Sequence, residues 1–179
     1  VIYDTDNKSE ILFKIYERIN KFGKWDKKLV WKNTTHDILK NKKLIWCHDY
    51  GLLISSILRL FWIPTIMVET VWVDRALKYP DIKEYQWHVF LKIFIDNNWE
   101  ILDSTTWEII SDIEGEFIRS EHFEDNQNWY FVICEWKDPK DYWVTDSQSL
   151  RNKMVEAIPT IKKLKVEKDT KKNIGNILN

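Results

Sequence analysis

Cys47, His88 and Asp103 are the residues of this chain whose types and spacing suit covalent chemistry. Cys47 stands in Trp46-Cys47-His48-Asp49-Tyr50-Gly51, directly ahead of the run Leu52 to Phe61, in which Arg59 is the only charge. That run predicts a helix apolar almost all round, and such a helix is buried. A thiol at its start lies where free N–H groups and the macrodipole favour the thiolate, the attacking form. A lone cysteine beside an apolar run is more often inert packing. What decides between the two is whether a base and its orienting carboxylate reach the same place.

A thiol nucleophile needs a group that takes its proton and later protonates the leaving group. An imidazole held in one tautomer by a carboxylate does both. Tyr85 to Ile95 reads as a strand, with Trp87, Val89, Leu91, Ile93 and Ile95 on one face and His88, Phe90, Lys92 and Phe94 on the other. Asp96-Asn97-Asn98 is a turn signal, and Trp99 to Asp103 is the returning strand. A two-residue turn at Asp96-Asn97 pairs Ile95 with Asn98 and Phe90 with Asp103, leaving Asp103 diagonal to His88. A turn at Asn97-Asn98 instead sets Lys92 opposite Asp103, as a rival salt-bridge partner, and moves His88 one pair further off. Singly, His88 suits a satisfied strand histidine and Asp103 a strand-end cap; together with Cys47 they suit catalysis.

In this order the three residues resemble the transglutaminase-like superfamily. Cys47-His48-Asp49-Tyr50-Gly51 is similar to the family's Cys-x-Asp-Tyr/Phe-Ala segment, and Leu58-Arg59-Leu60-Phe61-Trp62-Ile63-Pro64 to its Leu-Arg-x-x-Gly-Ile-Pro. Trp87-His88-Val89-Phe90, leading to Trp99-Glu100-Ile101-Leu102-Asp103-Ser104-Thr105, resembles its His-Ala-Trp to Trp-x-x-Leu-Asp-Pro-Thr passage. The likeness covers about residues 40 to 107. Ile45, Trp62, Val89 and Ser104 stand where the family has Gly, Gly, Ala and Pro.

The resemblance implies an α+β fold with a transglutaminase-like, papain-like core: an antiparallel sheet packed against helices, the nucleophile-bearing helix buried. It implies Cys47 as nucleophile, His88 as general base and acid, and Asp103 as the orienter of His88. Attack on an amide or ester carbonyl then gives a thioester, with the oxyanion held by the Cys47 backbone N–H and a second donor. Trp46, Trp72 and Gln86 are candidates for that donor or for lining the cleft. The expected function is a thiol-dependent cysteine protease or amidase, with a protein or peptide substrate and no cofactor. A protein-glutamine transglutaminase, deamidase or other acyltransferase shares the chemistry, an acetyl-donor transferase and a glycan amidase among them. Eleven tryptophans keep a different class open, a non-catalytic module that binds peptides or glycans, although large core residues are their commoner use.

Size and charge bound the alternatives. A chain of 179 residues fits a single domain with a substantial core. A net charge of −1 argues against a general nucleic-acid binder. No stretch has the length of an uncharged membrane span, and the start at Val1 has no secretory signal pattern; lacking an initiator Met, it is what a processed product or an excised fragment would show. Cys47 and Cys134 do not make a disulfide framework, so the expected setting is the reduced cytoplasm. His48 and Asp49 beside Cys47 have no second pair at ligand spacing, so no metal site is expected. Asp49 instead favours the helix start. Asp4 and Asp6 lack the glycine and glutamate of a calcium loop.

The remaining elements frame these residues. Asn7 and Glu10 are spaced as a capping box ahead of Ile11, Ile15, Ile19 and Phe22, with Gly23 able to stop the helix. Residues 24 to 46 are Lys-rich, with Trp25, Trp31 and Trp46 interspersed, and read as a solvated face. Thr34 or Thr35 caps a short helix through Lys40. Thr65 to Val73 reads as a strand, and Asp74 to Glu84 as a polar loop bordering a cleft. Ile109 to Asn128, which contains His122, reads as a variable loop or short helix. Trp129 to Trp136 reads as a strand bounded by Lys137-Asp138-Pro139, with Cys134 as packing. Leu150, Met154 and Ala157 to Ile158 suggest a helix ended by Pro159, and residues 160 to 179 a tail or an added edge element.

Overall fold

The computed structural model describes residues 7–24, 33–80, 87–111, 113–120, 128–136 and 146–177. Helix α1 (Lys8–Ile19) buries Ile11, Ile15 and Ile19 and is capped by Asn7, whose side chain accepts from Glu10 N–H at 2.8 Å. It ends at Asn20, short of Gly23, which joins β1 (Gly23–Lys24) instead. Helix α2 (Thr35–Asn41) starts with a reciprocal box between Thr34 and Asp37 and stops at Lys42, which has a left-handed backbone. β2 (Lys43–Leu44) pairs with β1 in parallel.

Helix α3 (Cys47–Leu60) follows, then β3 (Thr65–Trp72). The polar stretch after β3 begins with a short helix, α4 (Val73–Leu77), where a loop is expected from sequence. Buried Val73 and Ala76 give it an anchored face. β4 (Trp87–Ile95) and β5 (Asn98–Asp103) form a hairpin whose two turn residues, Asp96 and Asn97, both have positive φ. Asp and Asn tolerate that conformation, which the twist of a tight hairpin requires. The register is the one a turn at Asp96-Asn97 dictates: Ile95 faces Asn98 and Phe90 faces Asp103.

Of the stretch Ile109 to Asn128, residue 112 and residues 121–127 lie outside the described residues, and most of the described part is short strand where a loop or short helix is expected from sequence. The strands are β6 (Glu108–Ile110), β7 (Ile113–Glu114) and β8 (Phe117–Ser120), with Ile110, Phe117 and Ile118 turned inward. β9 (Asn128–Trp136) and α5 (Ser147–Ile177) complete the chain. Pro159 does not end α5, because the apolar stripe Leu150, Met154, Ile158 and Ile161 runs through it and stays buried on both sides. That burial outweighs the roughly 3 kcal/mol a mid-helix proline costs.

The larger sheet has the order β6-β5-β4-β3-β9-β8-β7, is antiparallel throughout and curls almost into a barrel. One face carries Met67, Val71, Val89, Leu91 and Ile93 against the helices; the other gathers Val68, Phe90, Ile101, Ile110, Ile118 and Tyr130 inside the curl. The architecture is thus α+β. Helix α3 lies close on β3 and β4, and Gly51 permits the approach: a Cβ there would be 2.9 Å from Val89 Cγ1 and 3.3 Å from Met67 Cε. The helix is not covered all round: Leu60 in its last turn is 77% exposed, and Trp62, just beyond its end, 92%. Among the described residues, no helix is long and apolar enough to cross a membrane.

Candidate active site

Cys47 is the first residue of α3 and is partly buried. Trp46, the residue before the helix, is extended and makes no side-chain cap. The N–H groups of Asp49 and Tyr50 donate to the Trp46 carbonyl at 3.0 and 3.3 Å, and a developing negative charge suits the N–H groups at the very start of the helix. The approach to Cys47 is fixed by Asp49. Its Oδ2 accepts from Ile45 N–H at 3.0 Å and from Asn33 Nδ2 at 3.3 Å, tying the preceding segment to the first turn. Burial pushes the Asp49 carboxyl upward, against those two hydrogen bonds and His48.

His88 is buried on β4, with its backbone carbonyl accepting from Thr70 Oγ1 at 2.9 Å. Its ring lies edge-on to Phe90, centroids 4.7 Å apart, and tilted against Tyr130 at 5.9 Å. Nε2 is 3.0 Å from Asp103 Oδ1, and Cys47 lies near enough to the same imidazole to favour its protonated form. Burial alone would push His88 down, but Asp103 and Cys47 outweigh it and lift it to about 10.

Asp103 ends β5, where the chain turns back on its carboxylate. Oδ1 accepts from Thr105 N–H at 2.9 Å, Thr105 Oγ1 at 2.7 Å and Thr106 N–H at 3.4 Å. Burial pushes this carboxyl up, yet His88 and Thr105 hold it well below the usual carboxylate range. Lys92 is no competitor: its Nζ bonds Glu135, at 3.1 and 3.3 Å from the two oxygens. The structure thus brings Cys47, His88 and Asp103 together from a helix start and two adjacent strands. A thiol, an imidazole and a carboxylate in this contact order can relay a proton away from sulfur.

Of the other candidates, Trp46 is 39% exposed and tilts against Trp87 at 5.7 Å, forming an aromatic edge beside Cys47. Trp72 lies inside the curl, its Nε1 buried without a hydrogen-bond partner among the described residues, with the Arg75 guanidinium 5.2 Å from its ring. Gln86, Trp25, Trp31, His122 and the Lys137-Asp138-Pro139 boundary lie outside the described residues.

Two buried groups escape a reading of the sequence. Glu69, on the helix-facing side of β3, is fully buried; His48 Nδ1 is 3.8 Å from its Oε1, too long for a hydrogen bond. Burial raises this carboxyl despite the opposing pull of His48 and His88. A charged residue inside Thr65-Ile66-Met67-Val68-Glu69-Thr70-Val71-Trp72 is the signal that marks it. Beside it, Cys134 is buried and pushed up to about 12 by burial and by Glu69. Tyr130 is the second such group, and nothing in its local pattern sets it apart from an ordinary strand aromatic. Among the described residues, no group of three or more His, Cys, Asp or Glu is arranged to hold a metal ion.

Set against protein-family models, curated proteins and solved structures, the chain matches none, so its function is to be argued from Cys47, His88 and Asp103 themselves.

Proposed function

We propose that this protein is a thiol-dependent acyl-transfer enzyme acting on amide or ester carbonyls, with a transglutaminase-like arrangement of Cys47, His88 and Asp103. The observation that carries the reading is buried His88 set 3.0 Å from Asp103 Oδ1, with Cys47 at the start of α3 near enough to favour its protonated form. His88 accepts the thiol proton and, as an imidazolium, faces a carboxylate that stabilises its charge and fixes its ring. The thiolate adds to the carbonyl carbon, His88 passes the proton to the departing amine or alcohol, and a thioester remains on Cys47. Water or a second amine then releases the acyl group.

Hydrolysis as a protease or amidase is the preferred outcome, since no carboxylate cluster among the described residues suits calcium control of a crosslinking enzyme. The aromatic edge of Trp46 and Trp87 beside the thiol suits a peptide or other extended acyl donor. A purely binding module finds less support. It would have no use for a buried imidazole set against a buried carboxylate.

The test is alkylation of Cys47 by iodoacetamide across pH, in the unaltered sequence and in His88→Ala, with Cys134→Ala in both. Fast labelling that persists well below the pKa of about 8.5 of a free thiol, and is lost without His88, is the expected result. Labelling that follows an ordinary thiol, or is indifferent to His88, overturns the proposal.

A further inference from the structure

Tyr130 reaches the inside of the curled sheet through a local irregularity. In the β3–β9 ladder Glu69 faces Cys134 but Thr70 faces Val132, so Ile133 is an extra residue and the register shifts there. A bulge of this kind reverses the alternation of the strand. Cys134 and Trp136 face the helices, whereas beyond the bulge Tyr130 and Val132 pack with Phe90 inside the curl. With regular alternation, Tyr130 would share the face of Cys134 and never meet His88.

Within the curl the Tyr130 ring is held edge-on to Phe90 at 5.5 Å and against His88 at 5.9 Å, and its residue is 1% exposed. Its hydroxyl is buried and has no hydrogen-bond partner among the described residues. The indole N–H of Trp72, its direct neighbour in the β3–β9 ladder, is in the same condition. A buried O–H left without an acceptor is costly, so its retention against the His88 imidazole calls for a ligand that supplies one. Burial, with the charges at Asp103 and Cys47, keeps the phenol above its usual range, which leaves it a donor and not an anion.

We infer that the Tyr130 hydroxyl donates a hydrogen bond to the oxyanion formed when Cys47 adds to a substrate carbonyl. This rests on the acyl-transfer reading and goes beyond it by assigning a residue to charge stabilisation. As the S–C bond forms, the carbonyl π pair moves onto oxygen, and Tyr130 shares its proton with that oxygen without giving it up. When the intermediate collapses, the C=O bond re-forms, the bond to nitrogen or oxygen of the leaving group breaks, and the proton on His88 goes to the leaving group. The substrate is therefore a carbonyl compound bound with its oxygen toward β9.

The experiment compares two reactions of the same thiol in the full chain carrying Cys134→Ala, with and without Tyr130→Phe. Iodoacetamide loses iodide as the thiolate attacks its saturated carbon and forms no oxyanion; p-nitrophenyl acetate acylates through one. The expected result is an unchanged, His88-dependent alkylation rate in Tyr130→Phe together with a nitrophenolate burst slowed by about 10²–10³, the cost of one lost oxyanion donor. The unchanged alkylation reports that the variant is folded and the pair active. A burst equal in both proteins, or absent from both while alkylation stays fast, overturns the Tyr130 assignment and leaves the thiol-imidazole pair standing. Slow alkylation in the unaltered protein overturns the acyl-transfer reading itself.

Discussion

The carboxylate of Asp103 reaches past its ladder partner Phe90 to bring Oδ1 within 3.0 Å of Nε2 of His88, two residues away along the facing strand. The turn through Thr105 and Thr106 holds the carboxylate in that pose. Asp103→Asn preserves the shape and an acceptor for Thr105 while removing the charge. The expected outcome is a fall in turnover of about 10³–10⁴ with little change in KM. Steady-state kinetics on an ester probe checks it. Unchanged turnover would confine Asp103 to shaping its own turn.

Protonation of His88 favours the folded protein, because its value there is lifted to about 10 from an ordinary 6.5. The stability this supplies is fully present below about pH 6.5 and is lost as pH rises through about 10. Asp103 acts with the opposite sign: held below its ordinary 3.8, it stabilises above that value and loses its contribution as the solution turns acid. Urea midpoints of the unaltered protein and His88→Gln, taken between about pH 6 and about pH 10.5, are expected to converge with rising pH. A gap that stays constant across this window would place His88 outside the ion pair.

Gly51→Ala tests how far the thiol depends on close packing beneath it. The added Cβ would meet Val89 Cγ1 at 2.9 Å, and Val89 adjoins His88 on β4. A loss of about 1–3 kcal/mol is expected from overpacking, read as a lower urea midpoint. Displacing α3 also draws Cys47 away from His88, so alkylation near pH 7 slows. An unaltered alkylation rate would show that the helix absorbs the extra methyl without moving its first residue.

How much of this could be read from the chain varies with the kind of signal. The β4–β5 register was legible because Asp96-Asn97 accepts the positive φ values a two-residue turn needs, and that turn alone fixes where Asp103 falls. The start of α3 was legible as well, from the apolar run Leu52 to Phe61 that follows the Cys47 segment. Pro159 misled, since proline propensity is local whereas the stripe from Leu150 to Ile161 is set by tertiary burial. The described part of Ile109 to Asn128 misled for a related reason: its acidic residues mask short edge strands that need few apolar positions. Tyr130 was beyond reach, because the extra residue at Ile133 that redirects it leaves no mark in an apolar strand.

The sheet order sets a timetable for synthesis. β3 sits between β4, made directly after it apart from α4, and β9, the last strand among the described residues. A nascent chain ending just after Asp103 already contains the thiol, the imidazole and the carboxylate, yet one edge of β3 has no partner and Tyr130 has not been made. An open strand edge invites pairing with other chains. The arrival of β9 closes that edge and delivers the hydroxyl in one event, so a ribosome-bound intermediate would hold a reactive thiol before it holds the donor proposed to serve its carbonyl substrate.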